Sequence, residues 1–159
     1  AVVMYPDPTF VMYRMNAVLA GMTPIGVPTR ADFSLDAKAF ISVVREHNPA
    51  LVFIAYPNNP TGAVAPLSFW QEAVAWAKQY DVILVNDHPY SEVTFDGYRS
   101  VSILEAEGAM DVAVEFFDGY HVEDFRKAFE AAKAKNCFSR SSVRRRKYSW
   151  EFFTASKRG

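Results

Sequence analysis

The chain has a single cysteine, Cys137, which excludes an intrachain disulfide and a cysteine-based metal cluster. A reducing, cytoplasmic setting is the expectation that follows. No apolar run approaches the roughly 20 residues needed to cross a bilayer, and no signal peptide is expected at the start. Neither sign of charge dominates. The formal net charge is -1, so the molecule as a whole has no electrostatic bias toward nucleic acid or an anionic membrane. Internal repeats and low-complexity segments are absent, and so is an initiator methionine. Ala1 to Tyr5 already reads as a strand, so a fragment is expected.

What is present suits one globular domain: 159 residues, 50% hydrophobic and 22% charged, enough for a sizeable core. Aromatic content is high at 15%. Either the core is rich in aromatics or a partner covers some of them.

Apolar runs and helical patterns alternate along the first 117 residues. Ala1–Tyr5 reads as a buried strand ending at Pro6-Asp7-Pro8. Thr9 is placed to cap a helix whose face carries Phe10, Tyr13, Ala17 and Ala20, with Gly21 as its stop. Thr23–Pro28 reads as a second strand. Ser34 or Asp36 caps a second helix with the stripe Leu35, Ala39, Phe40, Val43, Val44 and His47. His47, near that helix's end, reads as a dipole partner. Ala50–Ala55 is a third apolar strand. Pro66 then opens a helix with Phe69, Ala73, Val74, Ala77 and Tyr80 on one face, and Trp70 and Trp76 near its edges. Val82–Val85 and Val112–Phe117 complete the strands. The alternation predicts an α/β fold: a mostly parallel sheet with right-handed crossovers and helices on both faces. Strands that are apolar throughout, without in/out alternation, fit a doubly covered sheet.

Two polar clusters break this pattern, each at the end of a strand. The first is Tyr56-Pro57-Asn58-Asn59-Pro60-Thr61-Gly62, and the second is Asn86-Asp87-His88-Pro89-Tyr90. In open parallel sheets, ligands bind beyond the carboxyl ends of the strands. An amide held between prolines can donate there, although Asn, Pro and Gly also favour plain turns for backbone reasons. A carboxylate at such a rim is costly unless something cationic or donating meets it. A pyridinium nitrogen is one such partner, with the phenol and the amide bonding a ring oxygen.

Pro8-Thr9-Phe10, Asn59-Pro60-Thr61-Gly62 and Asp87-x-x-Tyr90 resemble the fold-type-I, pyridoxal-phosphate-dependent aminotransferases. The resemblance covers residues 1 to about 117. Residues 7–62 are most similar to histidinol-phosphate aminotransferases, and 63–117 to the diaminopimelate and alanine-type branch. It implies a partial large domain and pyridoxal 5′-phosphate as cofactor. Asp87 would face the pyridine nitrogen, Asn59 and Tyr90 the ring oxygen, and Phe10 the ring face. It also implies an amino acid and a 2-oxo acid as substrates, and a homodimer. For Phe10 and Tyr90 the plainer reading is a core aromatic with a local partner.

The family's Ser-x-Ser-Lys motif, which supplies the lysine that holds the cofactor covalently, is expected directly after Val114-Glu115-Phe116-Phe117. Here Asp118-Gly119-Tyr120-His121 follows, with His121 at the lysine's spacing. The glycine-rich phosphate loop and the carboxylate-binding small domain are also missing. Val122–Asn136 reads as an amphipathic helical extension. Residues 137–159 read as a basic, disordered tail, with Arg140, Arg144, Arg145, Arg146 and Lys147. Glu151-Phe152-Phe153-Thr154-Ala155-Ser156-Lys157 echoes the expected strand and motif, which makes Lys157 a candidate for a displaced lysine. The leading expectation is an aminotransferase fragment, inactive alone. The alternatives are a non-catalytic interaction module with a basic tail, or another pyridoxal-phosphate reaction such as a lyase.

Overall fold

The apolar runs assemble edge to edge. A computed structural model describes residues 1–116 and shows five strands: β1 (Val2–Asp7), β2 (Thr23–Pro28), β3 (Leu51–Phe53), β4 (Ile83–Asp87) and β5 (Ala113–Phe116). All pairs are parallel and the order is β2-β1-β3-β4-β5. Three helices connect them, α1 (Met12–Leu19), α2 (Ala37–His47) and α3 (Leu67–Tyr80), with short 3-10 turns at Ile103–Glu105 and Ala109–Asp111. The expected helical extension, basic tail, His121 and Lys157 all lie outside the described residues.

The winding changes direction once. From β1 the chain steps outward to β2, then returns across β1 to β3 and continues to β4 and β5. A right-handed crossover puts its helix on one face when the chain moves one way and on the other face when it reverses. The two cores follow this rule. Tyr13 and Ala17 of α1 pack with Val3, Tyr5, Leu51, Phe53 and Val85 on one face. Phe40 and Val44 of α2, and Trp70, Ala73, Val74 and Ala77 of α3, pack with Met4, Val52, Ile54 and Leu84 on the other. Strand side chains alternate between faces, so a strand covered on both sides must be apolar at every position. Val3, Met4, Leu51, Val52, Phe53, Leu84 and Val85 are accordingly all fully buried.

Several boundaries differ from expectation. β1 runs on through Pro6 to Asp7, because both residues keep their pairing with β2 at Val27 and Pro28. Regular β3 is shorter than Ala50–Ala55, although the amides of Ala50 and Ile54 still bond the neighbouring strands. Trp70 is not at a helix edge. It is fully buried and edge-on to Tyr56 and Phe69, at the centre of the larger core. Asp36 is the residue that caps α2, accepting from the amide of Ala39 at 3.0 Å. Thr9 caps nothing: α1 begins after Val11 without a side-chain cap, and the Thr9 hydroxyl is used elsewhere. Among the described residues no helix is long and apolar enough to cross a membrane.

Candidate cofactor site at the strand ends

The reversal of winding lies between β1 and β3, and the chains leaving their carboxyl ends diverge there. Such a switch point opens a crevice that the sheet itself cannot fill. Asn58 ties the two exits together. Its Oδ1 accepts from the Thr9 hydroxyl at 2.8 Å, and its Nδ2 donates to the Pro8 carbonyl at 3.1 Å and to Thr61 Oγ1 at 2.9 Å. Asn58 is 6% exposed, so these bonds satisfy an amide that water does not reach.

With Asn58 turned inward, its neighbour Asn59 is left half-buried at the rim. Asn59 Nδ2 donates to the Tyr90 hydroxyl at 3.2 Å. Amide and phenol therefore meet across the ends of β3 and β4. Beside them is an open cavity of about 420 Å³, lined by Asn59, Tyr90, Val64, Val93, Phe95 and Tyr98 among others. Neither Asp87 nor Phe10 lines it, so the polar rim and the cavity share Asn59 and Tyr90.

Asp87 is the last residue of β4, not a residue beyond the strand, and its pairing with Phe116 keeps it in the ladder. It is 5% exposed. Its Oδ2 accepts from the Tyr13 hydroxyl at 2.7 Å, a donor that offsets part of the cost of burying the charge. Tyr13 is itself held by rings: it stacks on Phe53 at 4.5 Å with planes 7° apart, and Phe10 meets it edge-on at 5.8 Å. Phe10 is half-buried and just ahead of α1. The four residues singled out thus fall into two linked pairs: Asn59 with Tyr90, and Phe10 with Asp87 through Tyr13.

Tyr13 is a functional candidate that pattern reading placed among the core residues. The signal was its spacing, three residues after Phe10, which sets both rings on one side of the chain. A second omission lies behind the sheet. Asn86 and His88 flank Asp87 and point to the opposite face, where the Glu115 carboxylate of β5 lies with no solvent exposure. Asn86 Nδ2 donates to Glu115 at 2.5 Å, the Ile103 amide donates at 3.0 Å, and Ser102 donates through its hydroxyl. His88 Nδ1 is 3.3 Å from the same carboxylate, and its Nε2 is 2.7 Å from Ser100 Oγ. Burial pushes the Glu115 carboxyl up, but the bonds from His88, Ser102, Asn86 and Ile103 outweigh it and hold the group below its ordinary range. A Glu inside an otherwise apolar strand was the available signal.

The described residues contain two lysines, Lys38 in α2 and Lys78 in α3, and Lys78 pairs with Asp111 at 3.3 Å. The residues present fit the edge of a planar, hydrogen-bonding ring. They include a buried carboxylate held by a neutral donor, and a rim with amide and phenol side by side.

Residues 1–116 match the family model described as aminotransferase class I and II. The LL-diaminopimelate aminotransferase of Moorella thermoacetica is 47% identical over 113 residues, which cover 70% of this chain and 29% of that protein. That of Dehalococcoides mccartyi is 38% identical over 139 residues, 84% of this chain and 36% of the relative. Among solved structures, the probable N-succinyldiaminopimelate aminotransferase of Thermus thermophilus superposes with a TM-score of 0.68 at 28% identity, over 86% of this chain and 39% of that one. An aminotransferase of Staphylococcus aureus also gives 0.68, at 29% identity and with the same coverage. The chain spans about a third of the length of the curated relatives it matches.

Proposed function

We infer the role of this chain from one premise: it belongs to the class I and II aminotransferases, whose members depend on pyridoxal 5′-phosphate. We propose that residues 1–117 are part of the cofactor-binding large domain of such an enzyme. The whole protein would move an amino group between an amino acid and a 2-oxo acid. The relatives' names favour a diamino dicarboxylic acid such as LL-diaminopimelate.

Asp87 is assigned to the pyridine nitrogen, where a carboxylate keeps a proton on the ring. Tyr13 holds that carboxylate in place. Asn59 and Tyr90 are assigned to the ring oxygen, and Phe10 to the ring face. The cofactor, when bound, supplies an electron sink. The Ser-x-Ser-Lys motif does not follow Phe117 in the sequence, and on that ground we expect the chain alone to be inactive. The observation that carries this reading is the Asn59–Tyr90 bond across the ends of β3 and β4, the strand that the buried Asp87 closes.

The exposed apolar side chains support a further part of the reading. Leu19 on α1 and Phe95 at the rim are 81% and 76% exposed, with Val18 and Val93 beside them. Surfaces of this kind are normally covered. We assign that cover to the rest of the polypeptide and to a second subunit in a cytoplasmic homodimer.

Pyridoxamine 5′-phosphate tests the ring site without needing a covalent lysine. Its fluorescence on titration with the 159-residue chain should saturate. Asp87→Ala should weaken binding about tenfold or more, the effect of losing a charge-assisted bond. Equal affinity in wild type, Asp87→Ala and Asn59→Ala would remove the assignment.

A further inference from the structure

We propose that Glu115, acting through Asn86 and His88, is a positioning centre that sets the rim residues Asn59, Asp87 and Tyr90 from behind the sheet. This rests on the ring-binding role proposed above.

The connections are short. Glu115 accepts from Asn86 Nδ2. The other end of that amide, Oδ1, accepts from the Tyr56 backbone N–H at 3.2 Å. Tyr56 begins the exit from β3 and stands three residues before Asn59. On β4, His88 follows Asp87 and precedes Tyr90 by two residues, and its imidazole lies between Glu115 and Ser100. The amide of Ile103 and the hydroxyl of Ser102 bring the β4–β5 connection to the same carboxylate. One group therefore meets β4 and its exit and the loop that leads to β5, and it reaches the exit of β3 through Asn86.

Packing alone does not account for this arrangement. The Glu115 side chain is fully buried and that of His88 is 2% exposed. A buried ionic cluster gains little stability over apolar side chains of similar volume, because desolvation offsets the attraction. Two apolar residues would satisfy the strands at this face. What the cluster adds is direction: each donor has one place to point, so the exits of β3 and β4 have one relative setting. A flat ring needs that setting, since contacts on opposite ring edges tolerate errors of only about 0.5 Å.

The experiment uses the full chain and three variants. Glu115→Leu removes every acceptor. Glu115→Gln keeps one oxygen for Asn86 and Ile103 and offers an N–H to Ser102, so it should rescue. Asn86→Leu leaves the carboxylate with its other donors and cuts the link to Tyr56. Pyridoxamine 5′-phosphate affinity and amide hydrogen exchange are measured together. In Glu115→Leu and Asn86→Leu, affinity should fall at least tenfold and the Tyr56 amide should exchange at least tenfold faster. Amides within β1 and β3 should quicken by no more than each variant's own loss of global stability requires, and the Tyr56 amide by at least tenfold more than that. Glu115→Gln should stay within about threefold of wild type in both readouts. Should Glu115→Leu fail to fold, Asn86→Leu decides.

If wild type binds no ring compound, the ring-site reading fails, and the exchange pattern alone decides the positioning role. If wild type binds and Asn86→Leu binds equally well with Tyr56 still protected, the positioning role is overturned. Uniform loss of protection across the sheet would also overturn it, since the cluster would then be merely structural.

Discussion

Two buried carboxylates on adjacent strands, Asp87 and Glu115, meet the cost of burial in different ways. Glu115 sits on the face covered by α2 and α3, and its partners Asn86, His88, Ser102 and Ile103 come from the same stretch of chain, within 29 residues. Asp87 sits on the α1 face, and its bond to Tyr13 spans 74 residues. The first carboxylate is enclosed by its own neighbourhood, whereas the second depends on how a distant helix docks at the rim. Enclosure suits a part that sets geometry. A rim position with a long-range support suits a part that meets a ligand, because its setting follows the docking of α1 beside the strand ends.

The largest effect expected is on the enclosed side. Glu115→Leu leaves several buried donors without an acceptor and should cost about 3–5 kcal/mol in urea unfolding. A loss below about 1 kcal/mol would dissolve the contrast, since Glu115 would then be no better held than a surface residue. Asn58→Ala comes next, at about 2–3 kcal/mol, because three bonds that join the β1 and β3 exits disappear together. Tyr13→Phe keeps the ring stack and removes one bond to a buried charge, for about 1.5–3 kcal/mol.

Acid sharpens the same comparison. The folded Glu115 group titrates below its unfolded value of 4.5, so its contribution is complete above that pH and is lost as pH falls through the lower folded value. The gap in unfolding free energy between wild type and Glu115→Gln should therefore shrink below about pH 4.5. A gap unchanged down to pH 2.5 would mean that Glu115 is buried uncharged. The smallest effect is that of Asn59→Ala. It should change stability by no more than about 0.5 kcal/mol while weakening ring binding, whereas its neighbour Asn58 does the reverse. Equal stability losses at the two positions would erase the distinction between support and site.

Pattern reading located the rim because its residues interrupt apolar runs. Asn59, Asp87 and Tyr90 stand at strand ends where backbone satisfaction and packing do not call for them. It assigned Thr9 to a helix cap because Thr before a helical pattern usually is one. That choice failed because α1 has Val11 at its cap position, two residues later, and the Thr9 hydroxyl donates instead to Asn58, 49 residues away. It passed over Glu115 and His88 because neither pairs with a near neighbour in helix or strand periodicity, and the link exists only once β4 and β5 lie side by side.

Local chemistry in the chain was enough to specify an α/β alternation, apolar strands covered on both faces, and polar clusters at two strand ends. Each depends on residues within a few positions of one another. Which asparagine turns inward, which phenol holds Asp87, and how Glu115 governs the rim from the far face were decided by the order of strands in the sheet. That order brings together groups separated by 29 to 74 positions. Hydrogen bonds act over about 3 Å, so no arrangement of side chains along the chain can select among them until the sheet has set the distances.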